Sequence, residues 1–477
     1  MTAKSFSKEQ ILERIRFDNP WWELNEIDAY YKKLNRRAYF DLLKPLVSES
    51  EIKRAVILMG PRRVGKTVLL FHIIQDLIKD GINPRKIFYL SIETPIYNSI
   101  ALETLFKYCM EAANGENGNG YYVFFDEIQY LKDWEVHLKS LVDSFNNTKF
   151  IVSGSAAAAL KLKSFESGAG RFTDFLLPPL TFFEYLKLKG KEDFLLSRND
   201  TGYVVPSNYD YSSLNENFIH YLNFGGYPEV IFSEKIQSDP GRYIRNDIID
   251  KVLMRDLPSL YGIQDIQELN RLFNFIAYNT GNEMSLDEIS KNSGVAKNTI
   301  KKYLTYLEAA FLIKTVNRID FSAKAFKRAN FFKVYLTNPS IRSALFAPLK
   351  DKDEFIGNMV ETAIYSQYQH NTSVQLHYAR WNKGEIDIVH LNNAQKPTRA
   401  VEIKWSDRFV TQLNELAHIK SFCDNHDLKE AWITTIDVSK SEVKNNFRYC
   451  FIPAAVYCLY AGQLIMEKKS GIINILS

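Results

Sequence analysis

Two groups of residues in this chain have types and spacings that could do chemistry. The first is built on GPRRVGKT, Gly60 to Thr67, which fits the pattern G-x-x-x-x-G-K-[S/T] between an apolar run and the helix-like VLLFHIIQDLI. Gly60 and Gly65 let the backbone wrap phosphates, and the loop amides add to the positive end of the following helix to make an anion site. Pro61, Arg62, Arg63, Val64 and Val68 complete the loop expected to touch a nucleotide. Lys66 can reach the terminal phosphates, and Thr67 offers a hydroxyl to magnesium. Later in the chain YYVFFDEIQYL is an apolar run that ends in two acids. Asp126 is placed to orient the magnesium shell with Thr67, and Glu127 to polarise an attacking water. The chemistry expected is hydrolysis of ATP with Mg2+.

A further run, KFIVSGS, brings Ser153 and Ser155 to the same end of a sheet, where one of them would sense the γ-phosphate. Arg171 and Arg255 are candidates for an arginine that neutralises charge in the transition state, although an ordinary surface or ion-pair arginine is the simpler reading of each.

The second group lies near the carboxyl terminus: Glu361 in a helical stretch, Asp387 in EIDIVHL, and Glu402 with Lys404 in AVEIKW. Strand alternation puts Glu402 and Lys404 on one face. Asp387, Glu402 and Glu361 could then hold a second divalent metal by hard oxygens, with Lys404 orienting or activating water, as in a metal-dependent nuclease. A surface ion pair on a half-buried sheet is the plainer alternative. His370 and His377 lie nearby in sequence and are not counted as ligands.

These groups need scaffolds. From Arg54 to Pro179 short apolar runs alternate with helical stretches, the signature of a doubly wound parallel α/β sheet; the candidate strands are RAVILMG, KIFYLSI, YYVFFDE, TKFIVSG and FTDFLLP. The segments expected are a helical lead-in over 1–50, an ATPase core over 51–186, a helical lid over 187–262 around GGYPEV, a winged helix-turn-helix over 263–349 and an α/β nuclease-like domain over 350–477. In SLDEISKNSGVAKNTIKKYLTYLEAAFLI a capping pair, Ser285 and Glu288, opens the first helix, and Lys297, Asn298, Lys301 and Lys302 start the second. The following stretch, Lys314 to Lys333, holds six Lys or Arg against one Asp, with Phe321, Phe326, Phe331 and Phe332, and reads as a basic wing. Such a surface fits duplex DNA, and it equally fits a protein partner. The tract NGENGNG, Asn114 to Gly120, reads as a surface loop.

Composition bounds the rest. A chain of 477 residues with 32 Phe and 27 Tyr has enough apolar material for about three domains. A net charge of +4 is small for this size, so any basic surface must be local. Four cysteines without pairing spacing read as reduced, buried thiols in a cytoplasm. The amino terminus lacks the pattern of a secretory signal. The apolar stretch Phe451 to Met466 is too short to cross a bilayer and reads as two adjacent core strands, so no membrane partner is expected.

With these residues in place, the chain resembles the bacterial and archaeal AAA+ ATPases that carry a C-terminal domain of unknown function. GPRRVGKT, FFDEIQYLKDW, VSGS, GAGR, LPPLTFFEYL, GGYPEV and the EIDIV and VEIKW pair carry the resemblance over nearly the whole length. It implies a P-loop AAA+ core, a lid, a winged helix and a restriction-endonuclease-like domain of the PD-(D/E)XK type. Arg171 takes the position of the family's nucleotide-sensing arginine, and because AAA+ sites are commonly completed by a neighbour's arginine, a homo-oligomer is one arrangement open to the chain. The PD dipeptide of that nuclease fold is replaced by Ile386 and Asp387. The functions implied are an ATP-driven switch on DNA or a DNA-bound partner, an ATP-gated nuclease, or an ATP-sensing interaction scaffold.

Overall fold

The five apolar runs of the first half become five strands: β1 (Ala55–Met59), β2 (Ile87–Ser91), β3 (Tyr122–Asp126), β4 (Lys149–Gly154) and β5 (Phe172–Leu176). The structure is a computed structural model that describes residues 6–49, 51–115, 120–155, 170–199, 202–205, 209–324, 331–350, 352–370 and 375–466. The chain divides into two units, Met1–Leu177 and Pro178–Ser477. The tract Asn114 to Gly120 falls largely outside the described residues, as do Phe326, Lys327 and Arg328 of the expected wing.

In the first unit all strand pairs are parallel, in the order β2-β3-β4-β1-β5. A parallel sheet is covered on both faces, which is why β1 is buried at every position and reads as an unbroken apolar run. The helices α1 (Lys8–Asp18), α2 (Lys66–Lys79), α3 (Leu102–Ala112) and α4 (Trp134–Ser144) supply layers of this unit. The amino-terminal segment is more than a lead-in, because it closes the edge of the sheet. Trp21 Nε1 and Trp22 Nε1 both donate to the carbonyl of Ile87, at 3.0 and 2.9 Å. Buried Asn19 accepts from the amide of Tyr89 at 2.7 Å and donates to its carbonyl at 3.0 Å. The outward backbone groups of edge strand β2 at the Ile87 carbonyl and at Tyr89 are thereby satisfied, which blunts this edge as a template for another strand.

The second unit opens with α5 (Phe182–Leu188). Within 187–262, read as helical, β6 (Ser197–Asn199) and β7 (Gly202–Val204) pair as a small hairpin before α6 (Tyr211–Phe224) begins. There follow α7 (Ile266–Tyr278), β8 (Glu283–Ser285), α8 (Leu286–Ser293), α9 (Lys297–Ala309), β9 (Ile313–Ile319) and β10 (Phe331–Leu336). The last part holds α10 (Ile356–Gln367), β11 (Gln375–Trp381), β12 (Gly384–Leu391), β13 (Pro397–Glu402), α11 (Ala417–Asn425), β14 (Glu430–Thr435), β15 (Lys440–Lys444), β16 (Phe447–Pro453) and α12 (Ala454–Met466).

The strands of 263–349 and of 350–477 belong to one sheet, ordered β15-β16-β14-β13-β12-β11-β9-β10-β8. Its join is the parallel pair β9–β11, with Arg318 opposite Tyr378 and Ile319 opposite Ala379.

The stretch Phe451 to Met466 corrects the expectation of two strands: β16 ends at Pro453 and α12 runs from Ala454 to Met466. Nearly every residue of α12 is buried. A helix covered on all sides carries no polar stripe, so its 3.6-residue period is invisible in sequence. Among the described residues no helix is long and apolar enough to cross a membrane. Of the residues expected in a basic wing, Phe332 and Lys333 are buried and Phe321 packs on the apolar core under β11–β16, whereas Lys314 and Phe331 are exposed.

Candidate functional site

β1 hands the chain to the glycine loop beside Leu177, whose amide donates to the Met59 carbonyl at 2.7 Å. A Cβ built on Gly60 would stand 2.2 Å from the Leu177 carbonyl oxygen, so no side chain fits there. Gly65 has φ 93°, in the left-handed region that favours glycine, and forms the N-cap of α2. The buried Lys66 ammonium folds over the loop and donates to the carbonyls of Gly60 and Pro61 at 3.0 and 2.9 Å. Val64 is buried, Arg62 and Val68 are half-buried, and Arg63 is exposed with a positive φ of 65°.

The strand order sets the other half of the site. β4 lies between β1 and β3, so the serines at its carboxyl end stand between the glycine loop and the two acids. Thr67 Oγ1 donates to Asp126 Oδ2 at 2.7 Å, Tyr89 OH donates to the same oxygen at 2.8 Å, and Ser153 Oγ donates to Oδ1. Asp126 is 2% exposed. Burial pushes its carboxyl up from the usual range, the charge of Glu127 adds to the rise, and the three hydroxyl donors oppose it. Glu127 adopts a left-handed φ of 54°, and its amide donates to Ser153 Oγ at 3.2 Å. Its Oε2 accepts from Gln129 Nε2 and from Ser155 Oγ, the latter at 3.2 Å. Ser153 therefore serves Asp126, and Ser155 serves Glu127.

Magnesium takes hard oxygens together with phosphate oxygens and waters. The Thr67 hydroxyl and Asp126 carboxylate are such a pair, and the Lys66 ammonium stands on the same loop, so these residues fit Mg–ATP. Arg171 is not brought to this loop. Its carbonyl accepts from the amide of Ala55, at the amino end of β1, whereas Gly60 follows the carboxyl end of that strand. At about 3.3 Å per residue the two are roughly 16 Å apart along β1. The Arg171 side chain pairs with Asp143 at 3.1 Å and is 43% exposed. Arg255 is an exposed residue of the second unit.

The C-terminal group does assemble, around a lysine that sequence reading had placed on the wing. Lys333 Nζ, on β10, lies 2.9 Å from Glu361 Oε1, 2.8 Å from Glu385 Oε1 and 3.3 Å from Asp387 Oδ1. Asp387 Oδ2 accepts from the Ile403 amide at 2.9 Å, and Lys404 Nζ stands 3.8 Å from it. Glu402 Oε1 faces Lys404 Nζ at 2.8 Å and His418 Nε2 at 3.5 Å, while Glu402 Oε2 is buried without a hydrogen-bond partner. Tyr335 OH donates to Glu361 Oε1 at 2.6 Å.

Burial raises the Glu361 carboxyl to about 7, Lys333 opposing and Asp387 reinforcing the shift. Burial would also raise Asp387, but Lys333 and Lys404 hold it below its ordinary value. Lys333 is kept well above the usual ammonium range because Glu361, Asp387 and Glu385 outweigh the desolvation that would lower it. The hydrogen bond that His418 donates to the Glu402 carboxylate comes first in raising the imidazole above its ordinary value.

The second divalent metal expected at Glu361, Asp387 and Glu402 does not fit this donor set. Glu361 and Asp387 converge on Lys333, whereas the Oε1 of Glu402 is turned to Lys404 and His418. Among the described residues, no group of three or more His, Cys, Asp or Glu is arranged to hold a metal ion.

In the helix pair α8 and α9, Ser285 Oγ accepts from the Glu288 amide at 3.1 Å and Gly294 turns the chain at φ 74°. Lys297, Asn298, Lys301 and Lys302 are exposed on α9, and Lys297 pairs with Asp287.

Sequence reading missed Arg37, Tyr89, Gln129, Glu385 and Lys333. Glu385 was within reach, since it sits two residues before Asp387 on the same strand face. A lysine inside the apolar run FFKVYL was a signal for Lys333. Nothing local marked the other three.

The family model of the AAA domain matches residues 52–186, the segment that holds the parallel sheet and the glycine loop. These residues form an AAA-type P-loop ATPase domain. A domain of unknown function, DUF8612, matches residues 215–353, which spans the helices after β7 and the strands through β10 rather than the last part of the chain. The chain is 26% identical over 405 residues to the uncharacterized protein MJ1544 of Methanocaldococcus jannaschii, covering 81% of this chain and 80% of that one. An uncharacterized protein of Haemophilus influenzae is 25% identical over 307 residues, 63% of this chain and 71% of its own. Among solved structures, a Walker-type ATPase of Pyrococcus abyssi is 16% identical with a TM-score of 0.39, covering 68% of this chain and 99% of that one.

Proposed function

We propose that the chain is a magnesium-dependent ATPase that acts as a nucleotide-driven switch on DNA or a DNA-bound partner. The observation that carries the reading is the 2.7 Å contact of Thr67 with Asp126 at the carboxyl edge of the parallel sheet, with Glu127 next in the chain. Mg–ATP, when bound, would supply a phosphoanhydride bond that breaks as its γ-phosphoryl group passes to water and ADP leaves. Lys66 binds the terminal phosphates, and Thr67 and Asp126 hold the metal. Glu127 orients the water and takes its proton at the carboxylate, which Gln129 and Ser155 position. Ser153 keeps Asp126 in place.

The DNA part rests on the helix–glycine turn–helix of α8 and α9, followed by β9 and β10 in the manner of a winged helix, with Asn298, Lys301 and Lys302 exposed on α9. The place of Arg171, away from its own loop, supports a site completed by a neighbour in a homo-oligomer. All four cysteines are free and buried, which supports a reducing, cytoplasmic location.

The test is ATP hydrolysis with magnesium by the wild type, Lys66→Ala and Glu127→Gln, each with and without duplex DNA. Both variants should fall to background and duplex should stimulate the wild type. Turnover that ignores duplex of every length would leave a nucleotide-sensing scaffold. The alternative of an ATP-gated nuclease draws on one observation, the unpartnered Oε2 of buried Glu402. It requires metal-dependent nicking of plasmid by the wild type that Asp387→Ala loses.

A further inference from the structure

The carboxylate centre poses a question that ATP hydrolysis does not answer. Glu361, Glu385 and Asp387 come from α10 and β12, and one oxygen of each meets at the buried Lys333 ammonium, Glu385 from a half-buried side chain. Three carboxylates that close repel one another and lose hydration, so a cation must stand between them. A nuclease fold would supply a divalent metal there. Here the chain supplies an ammonium.

We propose that Lys333 is the resident cation of this centre: it stands in place of a divalent metal ion and ties strand β10 to β12 and α10. The ammonium has three N–H donors and faces three carboxylates at 2.8–3.3 Å, with the Lys333 side chain only 4% exposed. Magnesium would need several oxygens at about 2.0–2.1 Å in an octahedron, and the same point cannot hold both ions. The backbone of Lys333 is pinned on both sides, opposite Val316 on β9 and opposite Glu283 on β8. Two residues on, Tyr335 holds Glu361 from the same strand, and Tyr365 OH donates to the Asp387 carbonyl at 2.7 Å. The centre thus works as an ion-pair lock between the strand that follows the helix pair and the nuclease-like half of the sheet. Removing the ammonium should convert the lock into a divalent cation site.

The test is Mn2+ uptake by the full-length, nucleotide-free chain, read as the difference from its Glu361→Gln/Asp387→Asn double variant so that the ATP site cancels. The wild type should show no such difference. Lys333→Met should gain about one Mn2+ per chain and lose it again when Glu361→Gln is added. Saturable uptake by the wild type that depends on Glu361 and Asp387 would overturn the proposal. So would a Lys333→Met chain that is folded by circular dichroism and takes no Mn2+. The wild-type arm decides by itself where Lys333→Met fails to fold.

Discussion

Arg37 Nη1 donates to the carbonyl of Val64 at 2.6 Å, from a side chain on a residue only 4% exposed. The amino-terminal segment therefore buttresses the middle of the glycine loop as well as covering the edge of the sheet. A hydrogen bond from a charged donor is worth about 1.5–3 kcal/mol. Arg37→Ala should weaken ATP binding by roughly 10- to 100-fold, as measured by calorimetric titration of the Glu127→Gln background. An unchanged affinity would mean that the loop holds its shape without this support.

Gly60 carries a harder constraint, because the atom facing it is backbone. With the Leu177 carbonyl oxygen 2.2 Å from an added Cβ, Gly60→Ala must push β1 and the strand end beside it apart. The expected loss of stability is about 1–3 kcal/mol, the usual cost of overpacking, and urea denaturation measures it.

The Glu361 carboxyl gives a pH signature. Its value rises from 4.5 to about 7 in the folded chain, so the native state binds the proton more tightly than the unfolded one. The stability from this group is complete below about pH 4.5 and is lost as pH rises through about 7, at about 1.4 kcal/mol for each pH unit crossed between those two values. Asp387, held low, acts in the opposite direction, but its loss comes only as pH falls below the ordinary aspartate range. Urea midpoints between pH 5 and 7.5 should fall more steeply for the wild type than for Glu361→Gln. Equal slopes would place this carboxyl back in its ordinary range.

If α9 grips duplex DNA, its exposed lysines meet phosphates. Lys301→Glu/Lys302→Glu should weaken duplex binding across sequences and make the salt dependence shallower by about one in slope for each phosphate that is no longer neutralised. A salt slope identical to that of the wild type would remove these residues from the interface.

Much of this was legible in order along the chain. The five strands of the first sheet, the glycine loop and the two acids after β3 could be read because local chemistry specifies them. Apolar runs of strand length become buried parallel strands, and a glycine pattern between strand and helix has few other uses. The helix pair with its glycine turn was equally local. The helix α12 was not, since burial on every side erases the period by which a helix is recognised.

The sequence by itself determined the glycine loop with Lys66 and Thr67 and the acid Asp126 after its strand, because their types and spacings are local and a parallel sheet brings such strand ends together. Only the tertiary structure decided the rest. Tyr89 reaches Asp126 from a neighbouring strand, Arg37 reaches Val64 across the unit, and Arg171 lies at the far end of β1. Lys333 stands among acids 28, 52 and 54 positions away in sequence. Charge interactions depend on distance in space, and strand order, which no local pattern encodes, sets those distances.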